Sequence, residues 1–171
     1  DFYEYLMDAT NRLELVQTSN ILDGNTTFGL AFAPLTQTTY LLQNNNGSRS
    51  LFLLDVNTRQ STFIQSMASL GGNTQPQTIA SDGGSGIYVV YSSGEIEQFN
   101  PTTGVATNVA TVNNNGAVGL TYDFDANRLL YATNGSPAEI YEVLTDGSGT
   151  VNLLFSTTFE GDGGQAIEYI G

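Results

Sequence analysis

The sequence of 171 residues predicts an all-β fold that repeats one four-stranded antiparallel unit. Short runs rich in Val, Ile, Tyr, Phe and Thr end at Gly, Asn, Asp or Ser, as strands and tight turns do. No stretch keeps its apolar residues at helical spacing. Similar segments begin at positions 51, 96 and 140, so successive repeats are 45 and 44 residues long.

Four strands are predicted in each repeat, always in the same order. The first alternates small and large side chains, the second is more apolar, and the last two form a hairpin around a polar turn. Residues 2–8 are a further copy of the third strand, because they align with 140–146 without a gap. The first strand of the unit is assigned to 29–32, 78–81, 119–122 and 166–169. The second strand is assigned to 39–42, 87–90 and 129–132, and the fourth to 61–64, 107–110 and 152–155.

A unit of about 45 residues with four antiparallel strands is the blade of a β-propeller. The small residues Gly29, Ala31 and Ala80 suit the innermost strand, because the blades crowd together at the central axis. We therefore expect residues 1–171 to form a single β-propeller. Its expected parts are a half blade (1–20), three full blades (28–67, 77–112 and 117–158) and the first strand of a closing blade (165–171).

The two ends of the chain are predicted to share the closing blade. Its innermost strand would be 166–170 and its outer two strands 2–8 and 13–18, an arrangement that leaves no free sheet edge. The second strand of this split blade is missing. Three explanations stay open: a fragment of a larger ring, a four-bladed ring with one defective blade, or a ring completed by a second copy.

Three segments resemble the blades of secreted or surface-displayed β-propeller repeat proteins. They are Gly-Leu-Thr-Tyr-Asp at 119–123, Asn-Arg-Leu-Leu-Tyr at 127–131 and Asn-Pro-Thr-Thr-Gly at 100–104. The resemblance implies a propeller over nearly the whole chain. It implies little about activity, because propellers host binding, scaffolding and hydrolysis alike. The Trp-Asp and Gly-His signatures of intracellular scaffold propellers are absent from the sequence.

The charge balance excludes several classes of function. The sequence has 17 acidic residues against four basic ones, a net charge of −13, and no Lys, His, Cys or Trp. Four arginines (Arg12, Arg49, Arg59 and Arg128) are too few to neutralise a nucleic-acid backbone. Zinc, iron–sulfur and haem sites, disulfides and His-, Cys- or Lys-based catalysis are excluded as well. Oxygen-ligated calcium and hydrolysis by paired carboxylates remain open.

The composition favours an extracellular, cell-surface or virion-surface location. The chain is acidic and rich in Asn, Thr, Ser and Gly, and its longest apolar runs, such as 87–91, are far shorter than a membrane span of about 20 residues. It begins at Asp1 without Met or a basic, apolar leader, so we expect a removed signal peptide or a piece of a longer protein. Asn25, Asn46 and Asn134 begin glycosylation sequons and are candidate sugar attachment sites in a glycosylating host.

Three aspartates are candidate calcium ligands. Asp123 and Asp125 belong to a D-x-D-x-N segment that resembles the start of a calcium loop, but Arg128 stands where such a loop has Gly. Asp162 lies in the glycine-rich acidic run 160–164, and the run 81–86 has a similar character. We expect all of these segments to be tight turns, with calcium as the alternative and no other cofactor.

Aromatic and acidic positions in the strands suggest two further sites. Tyr91, Tyr122 and Tyr131 lie near strand ends, where a ring can stack against a sugar, although filling the core is the interpretation we prefer. Glu4 and Glu142 are predicted to be equivalent, with Glu97 close to equivalent. We expect them on the solvent-facing side of their strands, with an acid–base pair across the ring as the alternative.

These observations predict a non-enzymatic β-propeller outside the cell or on a particle surface, acting as a binding or structural assembly module. Its partner would be another protein or a second copy, bound through the incomplete closing blade. A carbohydrate-binding propeller is the first alternative, and a hydrolase that uses carboxylates or calcium is the second. No nucleic-acid partner and no membrane span are expected.

Overall fold

The computed structural model describes residues 2–7, 13–19, 27–45, 48–58, 60–68, 70, 74–112, 117–133, 135 and 137–157. Fourteen strands lie in this part of the chain. In order they are β1 (Phe2–Met7), β2 (Leu13–Ser19), β3 (Thr27–Ala33), β4 (Thr38–Asn45), β5 (Ser48–Asp55), β6 (Gln60–Ser66), β7 (Pro76–Ser81), β8 (Ile87–Tyr91), β9 (Glu95–Phe99), β10 (Ala106–Thr111), β11 (Ala117–Asp123), β12 (Arg128–Thr133), β13 (Ala138–Leu144) and β14 (Val151–Thr157).

The strands form three four-stranded antiparallel sheets and one two-stranded sheet. Blade 1 consists of β3–β6, blade 2 of β7–β10 and blade 3 of β11–β14, and in each blade neighbouring strands follow one another along the chain. Strands β1 and β2 pair with each other. This architecture confirms the all-β prediction and its four-stranded units. Residues 158–171 lie outside the described residues, so the shared blade and the size of the ring stay predictions.

The three blades pack face to face, with β8 in the middle of the stack. All five residues of β8 are buried. Because side chains alternate along a strand, Ile87, Val89 and Tyr91 face blade 1, whereas Tyr88 and Val90 face blade 3. Each face joins a separate apolar cluster, so blade 2 contributes to two cores at once.

The innermost strands approach one another closely at Gly29. A Cβ atom at this position would lie 3.1 Å from the backbone nitrogen of Ile79 and 3.3 Å from Oγ1 of Thr78, both on β7. Only a residue without a side chain leaves this contact unstrained. The prediction that small residues occupy the innermost strand is confirmed here.

Each full blade has the same irregularity in its outer hairpin. One extra residue bulges from the fourth strand, and the three bulged residues, Ile64, Val109 and Leu154, are spaced by 45 residues. The β1–β2 pair has a corresponding shift opposite Glu4 and Tyr5. We therefore regard β1 and β2 as the third and fourth strands of a blade, because bulges are built-in features of a repeat.

The bulges correct the alignment of the third strands. They place Tyr5, Phe52, Glu97 and Tyr141 at equivalent positions. The gap-free alignment, which sets Tyr3 against Tyr141, is therefore shifted by two residues. Glu4 and Glu142 are consequently not equivalent in the structure.

Blade 1 has an apolar face turned away from blade 2. Leu30 and Phe32 lie on this face and are about half exposed. Their counterparts in blade 3, Leu120 and Tyr122, are buried in the cluster formed with blade 2. The far face of blade 1 thus has the composition of a surface that packs against another blade.

Candidate functional site

The loops lie at two ends of the blades, which we call the lower and upper rims. The lower rim holds the loops between first and second strands (34–37, 82–86 and 124–127) and between third and fourth strands (56–58, 100–105 and 145–150). The upper rim holds the loops between second and third strands, such as 92–94, and the described ends of the segments that cross to the next blade, such as 67–68 and 74–75.

The Asp123 turn on the lower rim is held by its own carboxylate. Oδ1 of Asp123 accepts hydrogen bonds from the backbone N–H groups of Asp125 (3.1 Å) and Ala126 (3.0 Å). Oδ2 forms an ion pair with Nε of Arg128 at 2.8 Å. The bond from Ala126, followed by the contact with Arg128, lowers the pKa of Asp123. Both oxygens are engaged within the protein, as the turn interpretation predicts.

The same arginine connects Asp123 to a second carboxylate. Nη1 of Arg128 pairs with Oε2 of Glu142, and Nδ2 of Asn152 donates to Oε1 of Glu142 at 2.9 Å. The bonds from Asn152 and Arg128 lower the pKa of Glu142. Within the described part of the chain, no group of three or more acidic, His or Cys side chains is placed to hold a metal. Asp162 lies outside that part, so calcium binding stays a prediction.

Glu97 differs from the expectation of a solvent-facing carboxylate. Its side chain is 1% exposed, and it pairs with Val89 on the face of blade 2 that meets blade 1. Oε1 accepts a hydrogen bond from the backbone N–H of Leu70 at 2.6 Å, whereas Oε2 has no hydrogen-bond partner in the described structure. The prediction was wrong because a one-residue change of register moves a side chain to the opposite face of a sheet.

The three tyrosines considered as stacking platforms lie inside the blade packing. Tyr91, Tyr122 and Tyr131 are all buried, in agreement with the core-filling interpretation. Tyr122 stacks on Tyr88 with ring centroids 5.6 Å apart. Burial raises the pKa of Tyr131 to about 12, and burial followed by the charge of Glu97 raises that of Tyr91.

A cavity of about 390 Å³ opens on the lower rim of blade 2. We call it the lower cavity; its wall includes Asp82, Gln98, Asn100, Thr103, Val105 and Thr107. Oδ1 of Asp82 accepts hydrogen bonds from the N–H groups of Gly84 and Gly86, which closes the 82–86 turn, and Nε2 of Gln98 lies 3.4 Å from Oδ2. Sequence analysis considered the turn but missed the cavity, because Gln98, Asn100 and Thr107 come from a different hairpin.

Strand β14, the outermost strand of blade 3, carries a continuous apolar surface. Leu153, Leu154 and Phe155 are 52%, 49% and 56% exposed. A regular strand turns every second side chain inward, and the bulge at Leu154 interrupts that alternation. The sequence contains the signal, three consecutive large apolar residues in a fourth strand, but does not show that all three reach the surface.

Several sequence candidates lie outside the described residues. These are the glycosylation candidates Asn25, Asn46 and Asn134, together with the acidic run around Asp162. Within the described residues, no helix is long and apolar enough to cross a membrane.

No protein-family model and no curated protein matches the sequence. Solved structures do match. A chain from the crystal structure of a nidogen/laminin complex aligns with 89% of this chain and 57% of its own length, with a TM-score of 0.67 and 16% identity. TolB from Acinetobacter baumannii aligns with 91% of this chain and 38% of its own length (TM-score 0.59, 18% identity). An oligogalacturonate lyase in complex with manganese aligns with 83% of this chain and 41% of its own length (TM-score 0.51, 16% identity).

The comparisons establish the fold class. The nidogen and TolB matches are β-propellers, and their alignments cover 89% and 91% of this chain. This chain therefore has the β-propeller fold. It spans 57% and 38% of the lengths of those two chains, and at this level of identity the similarity concerns architecture alone.

Proposed function

We propose that this β-propeller is a non-enzymatic module that binds another protein outside the cell or on a particle surface. The observation that carries the proposal is the exposed apolar triplet Leu153, Leu154 and Phe155 on β14. Three consecutive exposed apolar residues are unfavourable on a free surface and are typical of a contact surface. In addition, β14 pairs only with β13 among the described strands, so its outer edge is free to receive a partner strand.

The equivalent strand of blade 2 has a different surface. By the spacing of the bulges, Asn108, Val109 and Ala110 correspond to the triplet. Of these three only Asn108 is exposed, and it is polar. In blade 1 the corresponding strand exposes one large apolar side chain, Phe63, which is 50% exposed. The repeat therefore does not require three consecutive exposed apolar residues, and blade 3 alone of the three described blades has them.

The partner is expected to present an apolar segment flanked by basic residues. β14 has no charged side chain, whereas the chain as a whole carries a net charge of −13. This charge repels a second copy and attracts a basic partner. An extracellular or particle-surface location agrees with the acidic, lysine-free composition, and the nidogen match was found in a protein complex.

Photo-crosslinking tests the proposal. A photo-reactive phenylalanine analogue is placed at position 154 and, as the matched control, at position 109, and each protein is exposed to a surface extract of the source organism. We expect one discrete crosslinked product from position 154 and none from 109. Excess wild-type chain should suppress that product, whereas the triple variant Leu153→Asn, Leu154→Val, Phe155→Ala, which carries the blade 2 sequence, should not. Equal competition by the triple variant would contradict the proposal.

Self-association through the shared closing blade is the alternative form of the same module. The half-exposed Leu30 and Phe32 on the far face of blade 1 favour it. Sedimentation analysis of the wild type and of Phe32→Ser distinguishes the two forms. A dimer that Phe32→Ser dissociates supports self-association, and a monomer in both supports binding of a different protein.

Carbohydrate binding is the second candidate function, and the lower cavity favours it. A carboxylate, two amides and threonine hydroxyls beside the apolar Val105 match the mixed polar and apolar surface of a sugar ring. Titration with galactose, glucose and mannose, followed by NMR, tests this function. Binding that Asp82→Asn weakens while leaving the melting temperature unchanged supports it. The absence of binding at millimolar sugar contradicts it.

A further inference from the structure

Arg49 is a half-buried cation that has no acidic partner among the described residues. Among the described residues only Arg128 forms ion pairs, although acidic residues outnumber arginines by 17 to four. Burial lowers the pKa of Arg49. A half-buried charge usually has a counter-charge, because leaving water is costly for an unpaired ion.

The guanidinium of Arg49 is held in place by two contacts, one within blade 1 and one with blade 2. Its Cζ lies 3.6 Å from the ring centroid of Phe28, the residue that bulges from β3. Nη1 donates a hydrogen bond to the carbonyl oxygen of Pro76, the first residue of β7. A guanidinium has five N–H donors, and this is the one hydrogen bond that it makes in the described structure. The group is thus oriented while most of its donors remain available.

Arg49 lines a cavity of about 290 Å³ on the upper rim, which we call the upper cavity. Its other polar lining residues are Ser48, Ser66, Thr74 and Gln75. The volume is near the lower limit of about 300 Å³ for ligand pockets, so it suits one small molecule. The two glutamates of the neighbouring strand β9 bond elsewhere: Glu97 to the N–H of Leu70, and Glu95 to the hydroxyl of Ser93.

We propose that the upper cavity binds the carboxylate of a small ligand, with Arg49 as its counter-charge. A planar guanidinium with parallel free N–H groups matches a carboxylate in a bidentate arrangement. The hydroxyl and amide groups of the cavity wall are suited to hydrogen bonds with the rest of a polar ligand such as a uronic acid. This site is separate from β14 and from the lower cavity, so the proposal does not depend on the proposed function.

Three probes test the ligand chemistry: glucuronate, which has a ring and a carboxylate; glucose, which has the ring; and acetate, which has the carboxylate. Binding is followed by NMR at about 0.15 M salt, where charges beyond about 8 Å are largely screened, so that the overall negative charge does not mask the site. We expect glucuronate to bind and to shift the amide signals of Ser48 and Arg49, and glucose to leave them unchanged. Competition by acetate would identify the carboxylate alone as the recognised group. If glucuronate leaves these signals unchanged, the proposal is overturned.

Two kinds of variant separate a binding role of Arg49 from a purely structural one. Arg49→Gln is expected to weaken glucuronate binding at least about tenfold, because it removes the charge-assisted bonds. Because this variant also loses the contact with Pro76, Ser66→Asp provides a second test. It adds a carboxylate to the exposed wall of the cavity, where it can pair with Arg49 and exclude the ligand.

A matched control completes the experiment. Ser66→Asn has nearly the same shape as Ser66→Asp without the charge, so it is expected to bind glucuronate more tightly than Ser66→Asp does. Equal binding by the wild type, Arg49→Gln and Ser66→Asp would show that Arg49 only connects the blades, and would overturn the proposal.

Discussion

Replacement of Glu97 by Gln is expected to stabilise the protein. The carboxylate is 1% exposed, and Oε1 accepts a hydrogen bond from the N–H of Leu70. Oε2 has no hydrogen-bond partner in the described structure, because the nearby hydroxyl of Tyr91 donates to the carbonyl oxygen of Ala68 at 3.4 Å. A buried charge that is only partly hydrogen-bonded carries a desolvation penalty of about several kcal/mol. Glutamine keeps an oxygen for Leu70 and removes the charge.

The magnitude follows from two opposing changes. A hydrogen bond to a charged group contributes about 1.5–3 kcal/mol and one between neutral groups about 0.5–1.5 kcal/mol, so Glu97→Gln loses about 1 kcal/mol at Leu70. The relief of desolvation, about several kcal/mol, exceeds this loss, so we expect the free energy of unfolding to rise by about 1–2 kcal/mol. Glu97→Ala also removes the acceptor for the N–H of Leu70 and opens a cavity. Its free energy of unfolding should therefore be about 2–4 kcal/mol lower than that of Glu97→Gln.

Urea unfolding followed by circular dichroism measures these differences, and tyrosine fluorescence provides a second signal because the chain has no Trp. For a chain of this size, 1 kcal/mol corresponds to a shift of about 2–4 °C in the melting temperature. Glu142→Gln is the matched control: both oxygens of Glu142 are bonded, so the same substitution should destabilise. If Glu97→Gln is less stable than the wild type, the second oxygen has a partner and the reasoning about an uncompensated charge is refuted.

Three further predictions concern stability. Gly29→Val should cost about 1–3 kcal/mol in urea unfolding, because the innermost strands would have to separate; a variant as stable as the wild type would contradict this close packing. The pKa of Asp123 is lowered, so the stability that its carboxylate contributes is present above the ordinary value of 3.8 and is lost as pH falls through the lowered pKa. Asp123→Asn should therefore lose stability less steeply than the wild type between about pH 5 and about pH 2. An unchanged slope would count against this reasoning. Gly83 and Gly147 both have a φ of +84°, but only a Cβ at Gly83 would meet the ring of Phe124, at 2.7 Å, so thermal unfolding should show Gly83→Ala to be less stable than Gly147→Ala.

The strands and their repeat were predictable because they depend on local patterns. The 45-residue spacing located the hairpins, and the small residue at Gly29 indicated the innermost strand. The turn at Asp123 was predicted from its D-x-D-x-N pattern, and in the structure its carboxylate is bonded to the turn. The five candidates among the described residues lie in the predicted turn and strands, although what they bind stays a prediction: Asp123, Asp125, Tyr91, Tyr122 and Tyr131.

The environment of the glutamates was not predictable from the repeat. The sequence aligns them by similarity along the strand, but Glu97 is equivalent to Tyr141, one residue before Glu142, and adjacent residues of a strand face opposite sides of the sheet. Glu97 accordingly lies between blades 1 and 2, whereas Glu142 pairs with Arg128 on the other side of its own sheet. The expectation that both face solvent does not hold for Glu97.

The sequence by itself determined the all-β class, the four-stranded unit and the exclusion of chemistry that needs Lys, His or Cys, because composition, period and turn residues are properties of short segments. Tertiary structure alone decided which polar groups meet. Arg49 lies beside Pro76 of the next blade, Gln98 approaches Asp82 across two strands, and the triplet on β14 reaches the surface. The contacting residues are distant along the chain, and strand pairing within a blade or the packing of one blade on the next brings them together.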